Sequence, residues 1–131
     1  MAPRKRAKPQ IATIVTPVIQ VEDAARSAAF YEKLGFEVVR SFQADRHSTW
    51  TLLRAGAAEL MLESAVEVVD AEAQGIFLYL YTPDVNALYA ELETAGLNPG
   101  GLHNPPYMPA GEFRLSDPDG YVLLIGQPSG L

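Results

Sequence analysis

Residues 75–85 read "GIFLYLYTPDV", an apolar run between a glycine and a Pro-Asp pair that can start a helix. Successive side chains of a strand point to opposite faces. A strand here therefore has an aromatic face and an aliphatic face: Phe77, Tyr79 and Tyr81 on one, Leu78 and Leu80 on the other. The aliphatic face suits packing against a helix, and the aromatic face needs a different explanation.

The segment that follows this strand has a counterpart earlier in the chain. "TPDVNALYAELETAGL" contains Asp84 and Gly96, and "VEDAARSAAFYEKLGF", 61 positions earlier, contains Asp23 and Gly35 at the same separation of twelve positions. An aspartate before a helix accepts a hydrogen bond from a free backbone amide, and a glycine after the last turn adopts the left-handed conformation. Each segment therefore predicts one helix.

Strand-like runs surround each predicted helix, and turn-forming sequences such as "RAGA" and "DPDG" separate them. One run precedes each helix and three follow it: 14–21, then 36–42, 49–54 and 58–64; and 76–81, then a short weak run from Leu97, 112–116 and 121–126. Each half is thus predicted to be βαβββ.

The fold class that this order predicts is α+β. We expect one domain over residues 11–128, made of two βαβββ halves at about 11–64 and 75–128. The two halves would form a curled mixed sheet around a cavity, and the aromatic face of 77–81 would point into it.

Composition restricts the possible partners. The 131 residues suit a single domain, cysteine is absent, and no apolar run is long enough for a membrane span. Residues 1–10 predict a disordered basic arm, for which a nucleic-acid role is the alternative. The rest of the chain carries six basic and sixteen acidic residues. We therefore expect a cytoplasmic protein with neither nucleic acid nor membrane as partner.

Three longer stretches together resemble the vicinal oxygen chelate superfamily, which contains glyoxalase I, extradiol dioxygenases and the bleomycin-resistance proteins. The resemblance covers residues 11–128 and implies the glyoxalase/bleomycin resistance fold. It does not imply one activity, because a fold does not fix a function. The stretches that carry it are "VIQVEDAARSAAFYEKLGF", "GIFLYLYTPDVNALYAELETAG" and "GEFRLSDPDGYVLLIGQP".

The resemblance also implies four positions at which the enzymes of the superfamily bind a divalent metal. Here they fall on Thr16, Glu59, Phe77 and Leu124. Only Glu59 is a competent ligand, since a threonine hydroxyl binds such ions weakly and the other two side chains have no donor atom. We therefore expect no metal, no other cofactor and no catalytic residue, because the Lewis acid of those reactions would be missing.

What the resemblance then favours is the bleomycin-resistance type, which lacks the metal, forms homodimers and sequesters a drug in clefts between subunits. Pro17-Val18, and Tyr107 before Glu112-Phe113, are similar to its sequence. The expected ligand is a cationic or aromatic antibiotic-like molecule, and the acidic body suits a cation. The predicted ligand-binding residues are Thr16, Trp50, Glu59, Phe77, Tyr79, Tyr81, Tyr107 and Leu124.

Several alternatives remain open from the sequence. The protein could be a metal-dependent lyase, isomerase or dioxygenase of the same superfamily with non-standard ligands, or an interaction module whose cavity is filled by its own side chains. A buried Glu59 would need a partner, either a ligand cation or one of Arg54 and Arg114. His47 and His103 lie in loop-like sequence and are expected at the surface.

Overall fold

The computed structural model describes residues 14–43, 45, 48–65 and 67–129. The predicted basic arm at 1–10 and His47 lie outside the described residues. No helix in the described part of the chain is long and apolar enough to cross a membrane.

The first half forms a four-stranded sheet with one helix. Its elements are β1 (Val18–Val21), α1 (Ala24–Glu32), β2 (Glu37–Gln43), β3 (Thr49–Ala55) and β4 (Ala58–Ser64). The strand order is β1-β4-β3-β2, in which β1 runs parallel to β4 and the other neighbours are antiparallel. This half has the predicted βαβββ order.

The second half forms a three-stranded sheet with one α-helix. A short 3-10 helix (Ala71–Gln74) leads into β5 (Phe77–Tyr81), α2 (Val85–Thr94), β6 (Glu112–Ser116) and β7 (Val122–Gly126). The strand order is β5-β7-β6, with β5 parallel to β7 and β6 antiparallel to it. The two mixed sheets and two helices confirm the predicted α+β fold class.

One predicted strand, the weak run from Leu97, does not form. Asn98 adopts a positive φ of 52°, and Pro99 has no backbone N–H to donate to a ladder. Regular pairing is limited to one isolated bridge between His103 and Glu112. The prediction of three strands after the second helix was therefore wrong, and the described second half is βαββ.

Both helices begin and end where the sequence predicts. The Asp23 carboxylate accepts a hydrogen bond from the Arg26 backbone amide at 3.1 Å, and that of Asp84 accepts one from Ala87 at 3.0 Å. Beyond the helix ends, Gly96 takes a φ of 77°, which most other residues would adopt only under strain.

A single apolar core lies on the helix side of both sheets. It takes alternate side chains from every strand except β2, whose residues are all exposed, so that Leu60 and Leu62 of β4 and Leu123 and Ile125 of β7 are buried. The aliphatic face of β5 packs against the same core, as predicted. The aromatic face of β5 therefore lies on the side of its sheet away from the core.

A polar cluster at the β6–β7 turn ties the two halves together. Asp117 is 5% exposed and accepts a hydrogen bond from the Tyr31 hydroxyl of α1 at 2.8 Å. Asp119 accepts from the Glu22 amide at 3.0 Å and from the Ser27 hydroxyl at 3.2 Å. These bonds hold α1 and the residue before its N-cap, in the first half, against the turn of the second half.

Burial changes the acidity of this cluster. It raises the pKa of Tyr31, with a further contribution from the neighbouring Asp117 carboxylate. It also raises the pKa of Asp117, against the opposing effect of the hydrogen bonds that this carboxylate accepts from Tyr31 and from backbone amides. The Tyr31 hydroxyl therefore stays protonated at any physiological pH and acts as a hydrogen-bond donor.

Removing the Tyr31 hydroxyl should weaken this connection. We expect Tyr31→Phe to lower the free energy of unfolding by about 1–3 kcal/mol, because a buried carboxylate loses a donor. Tyr89→Phe is the matched control, since the Tyr89 hydroxyl has no hydrogen-bond partner among the described residues and its ring still packs on Phe113. Urea unfolding measures both, and equal losses in the two variants would contradict the role of Tyr31.

Candidate ligand-binding site

Three aromatic side chains stand in a row on the open face of β5. The rings of Tyr79 and Tyr81 have centroids 5.1 Å apart and are tilted by 37°. Phe77 and Tyr81 are each 60% exposed, which is unusual for such large apolar side chains. The guanidinium of Arg114 lies over the Phe77 ring, 5.8 Å from its centroid. Leu124 of β7 pairs with Tyr79 in register and is partly buried on the same face.

A buried carboxylate lies at one end of this face. Glu112, at the start of β6, is 2% exposed. It accepts hydrogen bonds from the hydroxyls of Tyr79 and Tyr107, the second at 2.9 Å, and the Nε2 atom of His103 lies 3.4 Å from its Oε1. The sequence analysis did not identify Glu112 as a site residue.

The absence of a side chain at Gly126 lets Tyr79 reach this carboxylate. β7 lies between β5 and β6, and Gly126 pairs with Glu112 in register. A Cβ atom on Gly126 would lie 2.8 Å from the Tyr79 hydroxyl oxygen and 3.0 Å from Cγ of Met108, which covers the glycine. Glycine is therefore required here for a close approach.

The two tyrosines that contact Glu112 hold their hydroxyl protons more tightly than a free tyrosine does. Burial, followed by the hydrogen bond to Glu112, raises the pKa of Tyr79. The hydrogen bond to Glu112 is the main reason that the pKa of Tyr107 is raised. Both hydroxyls stay protonated at neutral pH, so they serve as hydrogen-bond donors rather than as bases.

The remaining predicted site residues are Trp50 and Glu59 on the open face of the first sheet and Thr16, which precedes β1. Arg54 forms an ion pair with Glu59, with its Nη2 atom 2.7 Å from Oε1, and the Thr16 hydroxyl donates to Oε2 at 2.8 Å. These bonds, the one from Arg54 first, lower the pKa of Glu59. Trp50 is partly buried on β3 and pairs in register with Phe42, which is 60% exposed.

Arg54 is thus the partner of Glu59 that the sequence left undecided. The four positions at which the resemblance implies a metal do not fit one. Glu59 is engaged by Arg54 and Thr16, while Phe77 and Leu124 have no donor atoms and lie on the other sheet. Among the described residues, no group of three or more histidine, aspartate or glutamate side chains is placed to hold a metal ion.

The structure therefore divides the predicted site residues into two groups. Thr16, Trp50 and Glu59 are on or beside the first sheet, and the other five are on or beside the second: Phe77, Tyr79, Tyr81, Tyr107 and Leu124. No hydrogen bond, ion pair or ring contact joins the two groups within the described part of the chain.

A separate cavity of about 650 Å³ lies where the two halves meet. The β3–β4 turn, the segment after α1, the end of β5 and α2 surround it, and its walls are mainly apolar. Tyr79 and Tyr81 also border this cavity, which places it beside the aromatic face. Its other main lining residues are Leu34, Phe36, Ala57, Leu80, Leu88 and Ile125.

The sequence of residues 10–125 matches the Glyoxalase/Bleomycin resistance protein/Dioxygenase superfamily, which covers most of the chain. The chain belongs to this superfamily. The membership agrees with the resemblance seen in the sequence and with the paired β-sheet halves described above.

Solved structures of superfamily proteins resemble this one over most of its length. A bleomycin-binding protein in complex with bleomycin is 25% identical, with a TM-score of 0.72 over 90% of this chain and 100% of that one. TnmS3, an antibiotic binding protein from Streptomyces sp. CB03234, is 27% identical, with a TM-score of 0.73 over 91% and 98%.

A lactoylglutathione lyase from Agrobacterium tumefaciens shares the fold, with 20% identity and a TM-score of 0.69 over 95% of this chain and 100% of that one. No curated protein matches the sequence. Superfamily membership is therefore established, and the choice between binding and catalysis depends on this chain's own residues.

Substitution of Gly126 tests the packing around Glu112. We expect Gly126→Ala to destabilise the protein by about 1–3 kcal/mol, because the added methyl group would displace the Tyr79 hydroxyl or Met108. Gly101→Ala is the control, since a Cβ there meets no atom within 4 Å. Thermal unfolding compares the two variants, and a Gly126→Ala protein as stable as the control would contradict the close packing.

The pKa of Glu59 tests the Arg54 contact. We expect the Glu59 carboxyl to titrate below its ordinary range, and Arg54→Leu to raise its pKa more than Thr16→Val does. Because the pKa is depressed in the folded state, the stability that the pair contributes is present at neutral pH and lost as pH falls through that pKa. NMR titration of the carboxyl carbon measures the shift, and an ordinary pKa in the unsubstituted protein would contradict the ion pair.

Proposed function

We propose that this protein is a small-molecule binding protein, a cytoplasmic homodimer that sequesters a cationic or aromatic antibiotic-like ligand. The observation that carries the proposal is the open aromatic face of β5, on which Phe77 and Tyr81 are 60% exposed, together with Tyr107 of the loop before β6, which is 67% exposed. Large exposed aromatic side chains that share one face mark a binding surface more often than a solvated one.

The chemistry of this face favours binding over bond-breaking. Stacking on each aromatic ring contributes about 0.5–1.5 kcal/mol beyond the apolar area that it buries. The hydroxyls of Tyr79 and Tyr107 are held as donors, and Glu112 is buried beneath them. These groups can orient and hold a ligand, but none of them is an exposed nucleophile or base.

A homodimer would give the ligand a second wall. The open face of the first sheet carries Trp50, and Phe42 and Val18 there are 60% and 50% exposed. If the first sheet of one subunit faced the second sheet of its partner, both groups of predicted site residues would line one cleft. The superfamily's bleomycin-binding protein and antibiotic binding protein support a ligand of this class.

The metal-dependent enzyme remains the second candidate, and the residues favour it less. Such an enzyme would need ligands away from the positions of Phe77 and Leu124, and the described residues gather no alternative set of histidine and carboxylate side chains. The likeness to a lactoylglutathione lyase at 20% identity supports the fold alone.

Calorimetric titration with bleomycin and an anthracycline tests the proposal. We expect at least one drug to bind with a Kd of about 1 μM or lower, and Phe77→Ala and Tyr81→Ala each to weaken it about 10-fold through lost stacking. Val68→Ala is the control, because Val68 is 97% exposed and belongs to neither sheet. Unchanged affinity in both aromatic variants would contradict this site, and no heat with either drug would contradict binding of this ligand class.

A further inference from the structure

The charge of Glu112 has little compensation inside the protein. Its side chain is 3% exposed, and its only ionisable cationic neighbour within 4 Å among the described residues is His103, a half-exposed histidine. The nearest arginine along β6, Arg114, lies over Phe77 instead. A buried carboxylate without a paired cation is unfavourable unless strong donors or an incoming cation stabilise it.

One of the two tyrosine donors to Glu112 can be displaced without unfolding the loop that carries it. Tyr107 is 67% exposed, so the hydroxyl at its tip is its main polar attachment to the site. The backbone around it is held by separate hydrogen bonds, from the Met108 amide to the Pro105 carbonyl at 2.9 Å and from the Asn104 side chain to the Pro109 carbonyl at 2.9 Å. Rotation of the Tyr107 side chain alone would remove its hydroxyl from Oε1 and leave His103 Nε2, 3.4 Å away, as the remaining polar side-chain neighbour of that oxygen among the described residues.

We propose that Glu112 is the group that recognises the cationic part of the ligand, and that Tyr107 is its movable cover. A protonated amine donates to Oε1 in place of the Tyr107 hydroxyl, while Tyr79 keeps its bond to Oε2. The aromatic part of the ligand stacks on Tyr79 and Tyr81. This inference rests on the proposed function and adds to it the ligand's charge and the residue that selects for it.

The position of Arg114 gives the bound ligand a direction. Glu112 and Arg114 are two residues apart on one face of β6, roughly 7 Å along the strand. The negative group lies at the Tyr79 and Tyr107 end and the positive group at the Phe77 end. The cationic end of the ligand therefore points towards Tyr107, and an uncharged or anionic end points towards Phe77.

Two dyes of similar ring size separate charge recognition from stacking: 9-aminoacridine, which is a cation at neutral pH, and acridone, which is uncharged. Fluorescence titration should show 9-aminoacridine binding about 10-fold more tightly than acridone, and Glu112→Gln should bring the ratio close to one. Glu93→Gln is the matched control, since Glu93 is an exposed carboxylate on α2 and its substitution changes the net charge equally. The control should leave the ratio unchanged.

Substitution of Tyr107 tests whether its hydroxyl competes with the ligand for Glu112. Tyr107→Phe removes the hydroxyl that competes for Oε1, so the affinity for 9-aminoacridine should rise about 2- to 5-fold, with no change for acridone. The Tyr107→Phe measurement tests the inference even if Glu112→Gln does not fold. Unchanged or weakened binding of 9-aminoacridine to the Tyr107→Phe protein would overturn the inference.

The outcomes distinguish this inference from the proposed function. If both dyes bind the unsubstituted protein and Glu112→Gln keeps the original ratio, the role of Glu112 is wrong and aromatic binding stands. An equal loss of the ratio in Glu93→Gln assigns the preference to overall charge and also overturns the role of Glu112. If neither dye binds the unsubstituted protein, both the inference and the aromatic binding site are wrong.

Discussion

Hydrogen bonds between α1 and the β6–β7 turn join the two halves of the molecule. The Asp117 carboxylate accepts a hydrogen bond from the Tyr31 hydroxyl, and the Asp119 carboxylate accepts one from the Ser27 hydroxyl. The Tyr121 hydroxyl also donates to the Gln20 carbonyl at 2.7 Å. Neither helix nor either sheet could bury an apolar face alone. The helix sides of both sheets therefore share one core. That core contains apolar side chains of every strand except β2, whose residues are all exposed. The opposite faces are left available for a ligand or another subunit.

The open face of the second sheet combines exposed aromatic side chains with one buried carboxylate. Phe77 and Tyr81 remain exposed because the core is complete without them. Glu112 is buried on that same face. The Tyr79 hydroxyl can approach it because residue 126 of β7 is a glycine and has no side chain in the way. The result is a mainly aromatic surface with the buried carboxylate of Glu112 at one end. Fixed polar groups of this kind give a mainly apolar site its orientation and selectivity.

Local sequence signals predicted most of the fold. The Asp-to-Gly spacing located both helices, and period-two alternation correctly separated the core face of β5 from its aromatic face. The run from Leu97 failed as a strand because proline and a positive φ at Asn98 interrupt pairing that hydrophobicity alone suggested. Glu112 was missed because its partners Tyr79 and Tyr107 come from β5 and a loop, and their meeting depends on strand order and on Gly126 rather than on local pattern. The glutamate after the aromatic loop, "NPPYMPAGEF", was the only signal that could have indicated it.

Small-molecule binding on the open face of β5, rather than in the cavity between the halves, can be tested by NMR spectroscopy. Spectra of the protein with isotopically labelled phenylalanine, tyrosine and leucine are recorded during titration with bleomycin. We expect shifts for Phe77, Tyr81 and Tyr107 and none for Phe30, which is buried in the core. Shifts at Leu34 and Leu88, which line the cavity between the halves, with the rings of Phe77 and Tyr107 unaffected, would contradict it.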